Sequence, residues 1–166
     1  MNLERRLQAC DLVAREAQYL DQQRWQDWLA LYAEDAVLWV PTWKNESELA
    51  DDPMTELSFM YLEGRAFLEE RVQRVVSGRA VSLVPIPRTA HIVGGCLAHS
   101  DDEGATVTVE SAWSSHVHLH KDAGLVSYAG RYQHLLRRDG DDYRIARKKI
   151  ILTNDVLVSK LDFFYI

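Results

Sequence analysis

The sequence has 166 residues, 47% of them hydrophobic and 27% charged, and its formal net charge is −6. This composition is typical of a globular domain with a sizeable core. The acidic balance argues against a general nucleic-acid binder, which needs a basic surface against phosphates. No apolar run reaches about 18 residues, so we expect no membrane span. The charged N-terminal segment lacks the apolar core of a signal peptide, and we therefore expect a cytoplasmic protein.

The two cysteines, Cys10 and Cys96, lie far apart in the sequence. Their number and separation do not resemble a disulfide framework. We expect both to be small buried hydrophobic residues in a reducing cytoplasm.

Two helices are predicted near the N-terminus, over about 3–20 and 22–33, because apolar residues recur there at spacings of three and four. Asp21 is expected to cap the second helix. A short strand follows at about 36–40 and ends at Pro41. The apolar positions are Leu3, Leu7, Cys10, Val13, Ala17 and Leu20 in the first helix and Trp25, Trp28, Leu29 and Tyr32 in the second.

A long polar loop is predicted over residues 42–57, and loops of this length in compact domains are often functional. A third helix is expected at about 58–77, since Gly78 suits its C-terminal end, although Gly64 weakens this interpretation. Two prolines make residues 81–89 an extended linker.

Four strands are predicted in the second half of the chain, because the period of the apolar residues changes to two. The adjacent Gly94 and Gly95 predict a bulge that bends the sheet. Helices followed by hairpin-linked strands indicate an α+β fold, with helices on one face of a mostly antiparallel sheet that curves into a cone. The strands cover about 89–99, 105–120, 124–137 and 143–153, and a tail follows at 160–166.

The second of these strands has an apolar and a polar face, and the polar face carries three histidines at every second position. We expect that face to point outward. His116 and His118 could share a zinc ion, but His116 and His120 would be about 13 Å apart, too far for one ion. A third ligand would have to come from His134 or Glu110. The alternative that we prefer is a polar sheet face covered by another subunit.

Two further pairs carry reactive groups. Glu34 and Asp35 are adjacent carboxylates, but neighbours at a helix end diverge, which disfavours a shared acid/base site. Arg88 and His91 could orient an anion or a partner's carboxylate, or could form a local structural hydrogen bond. The sequence contains no Gly-rich phosphate loop, CxxC pair or GxSxG elbow.

Five segments are informative together: YLDQQRWQDWLALYAEDAVLWVP, SFMYLEGRAFLEERVQRV, PRTAHIV, HLLRRDGDDYRIARKKIILTND and LDFFYI. Together they resemble the small (β) subunits of bacterial aromatic-ring-hydroxylating dioxygenases, above all the benzoate, halobenzoate and anthranilate group. The opening block is shared with other cone-shaped proteins, whereas the middle block followed by R-T-x-H is more specific. The middle block carries Ser58, Tyr61, Arg65, Leu68, Arg71 and Val72 in the family's spacing.

The resemblance implies a single domain over 1–166 with the cone-shaped nuclear transport factor 2-like fold, which ketosteroid isomerase and scytalone dehydratase share. Three N-terminal helices would pack on a curved, mixed, mostly antiparallel sheet. The resemblance also implies a large (α) subunit that carries a Rieske iron–sulfur cluster and a mononuclear non-haem iron. Three small subunits would support three large ones, and a separate NADH-dependent reductase would supply electrons. This chain would hold neither metal nor catalytic residue.

A scaffold of this kind needs surfaces toward its own copies and toward the large subunit, because a threefold ring is built from heterologous contacts. The polar sheet face is expected to meet other copies, and the acidic loop, the linker and the terminal aromatic residues, with Tyr165 among them, could meet either partner. The candidate interface residues are Trp43, Tyr61, Arg65, Arg88, His91, Glu110, His116, His118, Phe163 and Phe164.

A rival hypothesis is a stand-alone isomerase or dehydratase of the same cone fold. Its pocket would hold an acid or base with a shifted pKa, and Asp35, His91 or Tyr61 could serve.

Overall fold

The structure is a computed structural model that describes residues 1–100, 102–121, 123–157 and 160–166. These residues form three α-helices, six β-strands and two short 3₁₀ turns at Val81–Leu83 and Phe163–Tyr165. The helices are α1 (Leu3–Asp21), α2 (Trp25–Ala30) and α3 (Arg65–Val76). The strands are β1 (Tyr32–Pro41), β2 (Ser58–Glu63), β3 (Arg88–His99), β4 (Thr106–Leu119), β5 (Gly124–Asp139) and β6 (Asp142–Leu152).

The six strands form one sheet in the order β2-β1-β6-β5-β4-β3. β1 and β6 run parallel, and every other neighbouring pair is antiparallel. The helices pack on the sheet, with α1 against β3 and α3 against β1. The predicted α+β architecture with a mixed, mostly antiparallel sheet is therefore confirmed. No helix within the described ranges is long and apolar enough to cross a membrane.

The core lies between the helices and the inner face of the sheet. α1 contributes Ala9, Leu12, Val13, Ala17 and Leu20. The last three belong to the predicted apolar stripe, but the stripe is wrong at its N-terminal end, where Leu3 and Leu7 are exposed. The inward positions of β4 alternate as expected and include Val107, Val109, Trp113 and Val117. Burial of this continuous apolar surface is the main force that holds the helices on the sheet.

The bulge predicted at the two adjacent glycines is confirmed. The pairing register of β3 against β4 shifts between Gly94 and Leu97. Gly95 has a φ of +65°, which is a conformation that favours glycine. The extra residue bends β3 at this point.

The prediction of one helix over 58–77 is wrong in its first third. Residues Ser58–Glu63 form β2, which pairs with β1 through contacts such as Leu62 with Leu38. Met60 and Leu62 point inward at a period of two. Gly64, at a φ of +97°, separates β2 from α3. The apolar residues of this short segment fit both periods, and pairing with β1 decides between them.

The second helix is shorter than the predicted 22–33. α2 ends at Ala30, and Tyr32 begins β1 because it pairs with Ile145 of the parallel strand β6. Asp21 does not cap α2. It is the last residue of α1, and its carboxylate instead accepts hydrogen bonds from β3.

The expectation of two unpaired cysteines is wrong, because Cys10 and Cys96 are joined by a disulfide. Their Cα atoms lie 6.0 Å apart across a sequence separation of 86 residues. A tertiary contact explains the bond, because α1 packs against β3 and brings the two side chains together. Sequence spacing alone carries no information about this contact.

Candidate functional site

The outer sheet face is the surface of β3, β4 and β5 that points away from the helices. Its residues alternate along each strand with buried ones and pair directly across the strands. His116 and His118 lie on this face, as the alternation predicted. Its rows are Arg88–His118–Leu125, Ala90–His116–Ser127, Ile92–Ser114–Ala129, Gly94–Ala112–Arg131 and Leu97–Glu110–Gln133.

The outer sheet face combines small, apolar and polar side chains. Ile92, Leu97 and Leu125 are exposed by 61%, 64% and 65%. The rows between them carry alanine, serine and glycine, so another backbone can approach closely. The three apolar side chains stand in alternate rows of the face, separated by small and polar side chains. A face that mixes exposed apolar and polar side chains has the composition of a protein contact.

The polar groups of this face are partly engaged with each other. His116 Nδ1 lies 2.9 Å from Ser127 Oγ, and the Gln133 side chain donates to Glu110 Oε1 at 3.2 Å. The rings of His118 and His120 meet edge to face, with centroids 5.0 Å apart. The remaining donors and acceptors face outward, where a partner can use them.

The histidines of β4 do not form a metal-ligand set. Across the described ranges, no three His, Cys, Asp or Glu side chains come close enough together to hold one ion. Both cysteines are used by the disulfide, so neither is a free thiolate for a Rieske cluster. The side chains of the described ranges therefore do not fit either iron centre that the family resemblance implies for the complex.

Four other candidate interface residues lie away from the centre of the outer sheet face. Trp43 is half-buried, and its Nε1 donates to the Leu152 carbonyl at 2.7 Å. The Tyr61 hydroxyl donates to Glu63 at 3.3 Å. The guanidinium of Arg65 donates to the Tyr32 carbonyl at 3.3 Å. Arg88 is exposed beside His118 at the edge of the face.

His91 points inward, toward α1. Its side chain is 0% exposed, and its Nδ1 lies 2.6 Å from Asp21 Oδ1. Its backbone N–H and the Thr89 hydroxyl donate to the same carboxylate, each at 2.8 Å. Burial raises the pKa of Asp21, but the hydrogen bonds from His91 and Thr89 outweigh burial and lower it. Of the two roles considered for His91, the structure shows the local structural hydrogen bond.

The terminal aromatic residues, which were candidates for a contact with either partner, are buried in this chain. Phe163 and Phe164 are each 1% exposed, and their rings pack edge to face on Trp25. The C-terminal segment fills the core near α2, because large apolar side chains are stabilised by removal from water. In this structure neither ring is available to a partner.

A buried polar cluster inside the cone was missed by the sequence analysis. Its centre is the Glu16 carboxylate on α1, which is 0% exposed. Lys148 Nζ donates to Glu16 Oε1 at 2.8 Å, and the Tyr32 hydroxyl donates to the same oxygen at 2.6 Å. Trp28 Nε1 donates to it at 3.2 Å, and His134 Nε2 lies 3.4 Å from its second oxygen.

The cluster keeps Glu16 ionised. Burial raises the pKa of Glu16, but the charge of Lys148 and the hydrogen bonds from His134 and Lys148 together hold it well below the usual range. Burial lowers the pKa of His134 and favours its neutral form. Glu16 lies four residues after Leu12 and four before Leu20, within the buried stripe. An acid at such a position is the signal that could have revealed the cluster.

The acid and base candidates for a stand-alone enzyme do not line one common pocket. Asp35 lies on the surface, paired with Arg137. Tyr61 lies on β2 beside Glu63, and His91 is enclosed against Asp21. The acid and base candidates of the rival hypothesis are thus in three separate places.

The sequence profile of one protein family, described as ring hydroxylating beta subunit, matches residues 15–159. The chain belongs to this family. The predicted resemblance to small subunits of aromatic-ring-hydroxylating dioxygenases is confirmed, and this family member is a non-catalytic component of an oxidoreductase complex.

Two curated relatives are similar to this chain over nearly its whole length. The benzoate 1,2-dioxygenase subunit beta of Acinetobacter baylyi is 33% identical, over 91% of this chain and 88% of the relative. The anthranilate 1,2-dioxygenase small subunit of the same organism is 31% identical over the full length of both chains.

Solved structures agree with the fold. The beta subunit of the benzoate 1,2-dioxygenase from Burkholderia mallei is 30% identical and superposes with a TM-score of 0.77, over 95% of each chain. An NTF2-like protein from Novosphingobium aromaticivorans, at 17% identity, superposes with a TM-score of 0.64 over 93% of this chain and 85% of its own. The expected nuclear transport factor 2-like cone is therefore confirmed.

Proposed function

We propose that this chain is the scaffold of a three-plus-three dioxygenase hexamer that cis-dihydroxylates an aromatic carboxylate. The outer sheet face carries this proposal, because it combines exposed apolar side chains with small and polar ones on three paired strands. In the proposed complex the large subunit holds the Rieske cluster and the mononuclear iron, which supply the electron transfer and oxygen chemistry. The substrate class follows from the relatives named for benzoate and anthranilate.

The role of this chain's own residues is to fix distance and orientation. In the proposed hexamer, electrons pass from the cluster of one large subunit to the iron of the next, so the rate depends on how rigidly the subunits are held. A six-stranded sheet, braced from behind by α1 and the disulfide, is a rigid surface for this purpose. Small residues such as Ala90 and Ala112 allow close packing, and Ile92 and Leu97 supply the apolar contact.

The candidate residues divide between two contacts in this proposal. His116, His118 and Glu110 on the outer sheet face meet a neighbouring small subunit. Trp43, on the loop over 42–57, belongs to the contact with the large subunit. Tyr61 and Arg65 belong to this second contact, whereas Arg88 pairs with His118 at the edge of the outer sheet face and belongs to the first.

We also propose that the complex works in the cytoplasm with a separate NADH-dependent reductase. A reducing cytoplasm opposes the Cys10–Cys96 bond, because the glutathione pool keeps thiols reduced there. The bond is therefore the feature of this chain on which the proposed location can be tested.

Co-expression with the cognate large subunit tests the assembly. Native mass measurement of the purified complex is expected to show three copies of each chain. Ile92→Asp should remove the hexamer, because it buries an unpaired charge in the contact. Leu7→Asp, at an exposed position on α1, is the matched control and should leave assembly intact.

Iron content is measured on the same samples. The double variant His116→Ala/His118→Ala is expected to leave iron per large subunit unchanged. Loss of iron in that variant, or an intact hexamer with Ile92→Asp, would contradict the proposal.

A further inference from the structure

A cavity of about 550 Å³ opens between α3, the linker, the end of β4 and the C-terminal segment. It borders the outer sheet face, because His120 lines it and contacts His118, and it shares no lining residue with the buried Glu16 cluster. A volume of this size is in the range of sites that hold small organic ligands. The proposed scaffold function makes no use of it.

The walls of this cavity are mainly apolar. Phe59, Leu83, Leu119, Leu161 and Tyr165 line it from four parts of the chain, since the last two share the C-terminal segment. Pro85 and Pro87 stiffen the linker side, because proline restricts the backbone. These walls suit the hydrocarbon body of a ligand.

The charge of the lining opposes the charge of the chain. Arg74, Lys121 and Lys160 line the cavity, and Asp162 is the one acidic residue among the described lining residues. The chain as a whole has a net charge of −6. A local excess of positive charge in a concave apolar setting attracts and retains an anion.

The three cations of the lining differ in the hydrogen bonds and ion pairs that they already make. Lys121 Nζ donates to the Val81 carbonyl at 3.0 Å. Arg74 and Lys160 have no ion pair within 4.0 Å among the described residues. Asp162 accepts from the Phe163 N–H at 2.9 Å, and burial raises its pKa. An incoming anion would therefore find Arg74 and Lys160 free of a bonded carboxylate.

We propose that this cavity binds an amphipathic monocarboxylate, with its apolar body against Phe59, Leu161 and Tyr165 and its carboxylate at Arg74 and Lys160. A guanidinium matches a carboxylate in planar geometry and donates two parallel hydrogen bonds. The ligand carboxylate and Asp162 together offset two of the three positive charges of the lining. This proposal is independent of the hexamer and of the substrate of the complex.

Calorimetric titration of the full chain with 4-phenylbutyrate, and separately with its neutral amide, tests the proposal. The acid is expected to bind at least about tenfold more tightly than the amide, because the amide lacks the charge-assisted hydrogen bonds. The double variant Arg74→Gln/Lys160→Gln should weaken binding of the acid by about tenfold. Arg79→Gln, an exposed arginine three residues beyond α3 and outside the lining, is the control and should change affinity by less than about twofold.

The outcomes separate clearly. Equal binding of acid and amide would overturn the charge assignment, and it needs no variant to fold. Absence of binding by the unmodified chain, or unchanged affinity in the double variant with an unchanged thermal midpoint, would overturn the site. Loss of acid binding when the large subunit is added would show that the cavity belongs to a protein contact, and would also overturn it.

Discussion

Lys148 Nζ lies 2.8 Å from Glu16 Oε1 in the middle of the cone, where the two side chains are 1% and 0% exposed. The pair joins α1 to β6, and the Lys148 ammonium also lies 4.2 Å from the centre of the Tyr132 ring. A charge removed from water at this depth is tolerated only with a partner. The pair therefore ties the position of α1 to the sheet.

Removal of both members of this pair should cost less than the two single removals added together. Lys148→Met is expected to lower the free energy of unfolding by about 3–5 kcal/mol, because it leaves the Glu16 carboxylate unpaired. The double variant Glu16→Gln/Lys148→Met should cost less than the sum of the two single changes. Urea unfolding at one fixed protein concentration measures all four proteins, and additive costs would contradict the coupling.

His134 should make the free energy of unfolding decrease as the pH falls below the pKa of histidine in the unfolded chain. Burial lowers the pKa of His134 in the folded state, so unfolding takes up a proton below pH about 6.5. This stabilising contribution is complete above that pH and decreases as the pH falls, by at most about 1.4 kcal/mol per pH unit. Urea midpoints between pH 5 and 8 measure the slope. His134→Gln should reduce it, whereas His116→Gln on the outer sheet face should retain it.

The disulfide gives a redox-dependent stability. Closing a loop of 86 residues is expected to contribute about 4.6 kcal/mol in the chain-entropy account. Dithiothreitol should therefore lower the free energy of unfolding of the unmodified chain and leave Cys10→Ala unaffected. Thiol titration of denatured protein should find no free thiol before reduction and two afterwards. Two free thiols in protein isolated under thiol-trapping conditions would show that the bond is open in the cell.

Among the described glycines, Gly130 leaves the least room for a side chain, because β6 lies directly beside it. A Cβ added there would lie 1.9 Å from the Ile151 carbonyl oxygen, so the strands would have to separate. Gly130→Ala is expected to cost about 3 kcal/mol, at the upper end of the range for overpacking. Gly94→Ala, where a Cβ meets nothing within 4 Å, should change stability by less than about 0.5 kcal/mol. Thermal midpoints of the two variants make the comparison.

Local sequence patterns were enough to predict much of the fold. The alternation in β4 placed Trp113 inside and His116 outside, and Gly94–Gly95 marked the bulge. Where the sequence was misleading, a distant contact decided the structure. Ser58–Glu63 is a strand because β1 is beside it, and Cys10 meets Cys96 because α1 crosses β3.

The candidate site was less predictable than the fold, because burial in the tertiary structure decides which side chains remain available. Phe163 and Phe164 appeared suited to a contact with a partner, yet they complete this chain's own core. His91 and Arg88 are three residues apart and lie on opposite faces of β3. The burial of Glu16 was not predicted because α1 contains many charged residues, although Glu16 lies on the apolar face of this helix.

Reconstitution of ring dihydroxylation tests the scaffold role most directly. Purified large subunit and reductase are supplied with NADH, oxygen and benzoate, with or without this chain, and the cis-diol is quantified. The account predicts diol formation only when this chain is present, and none from this chain with the reductase alone. Full activity of the large subunit without this chain, or turnover by this chain without the large subunit, would contradict it.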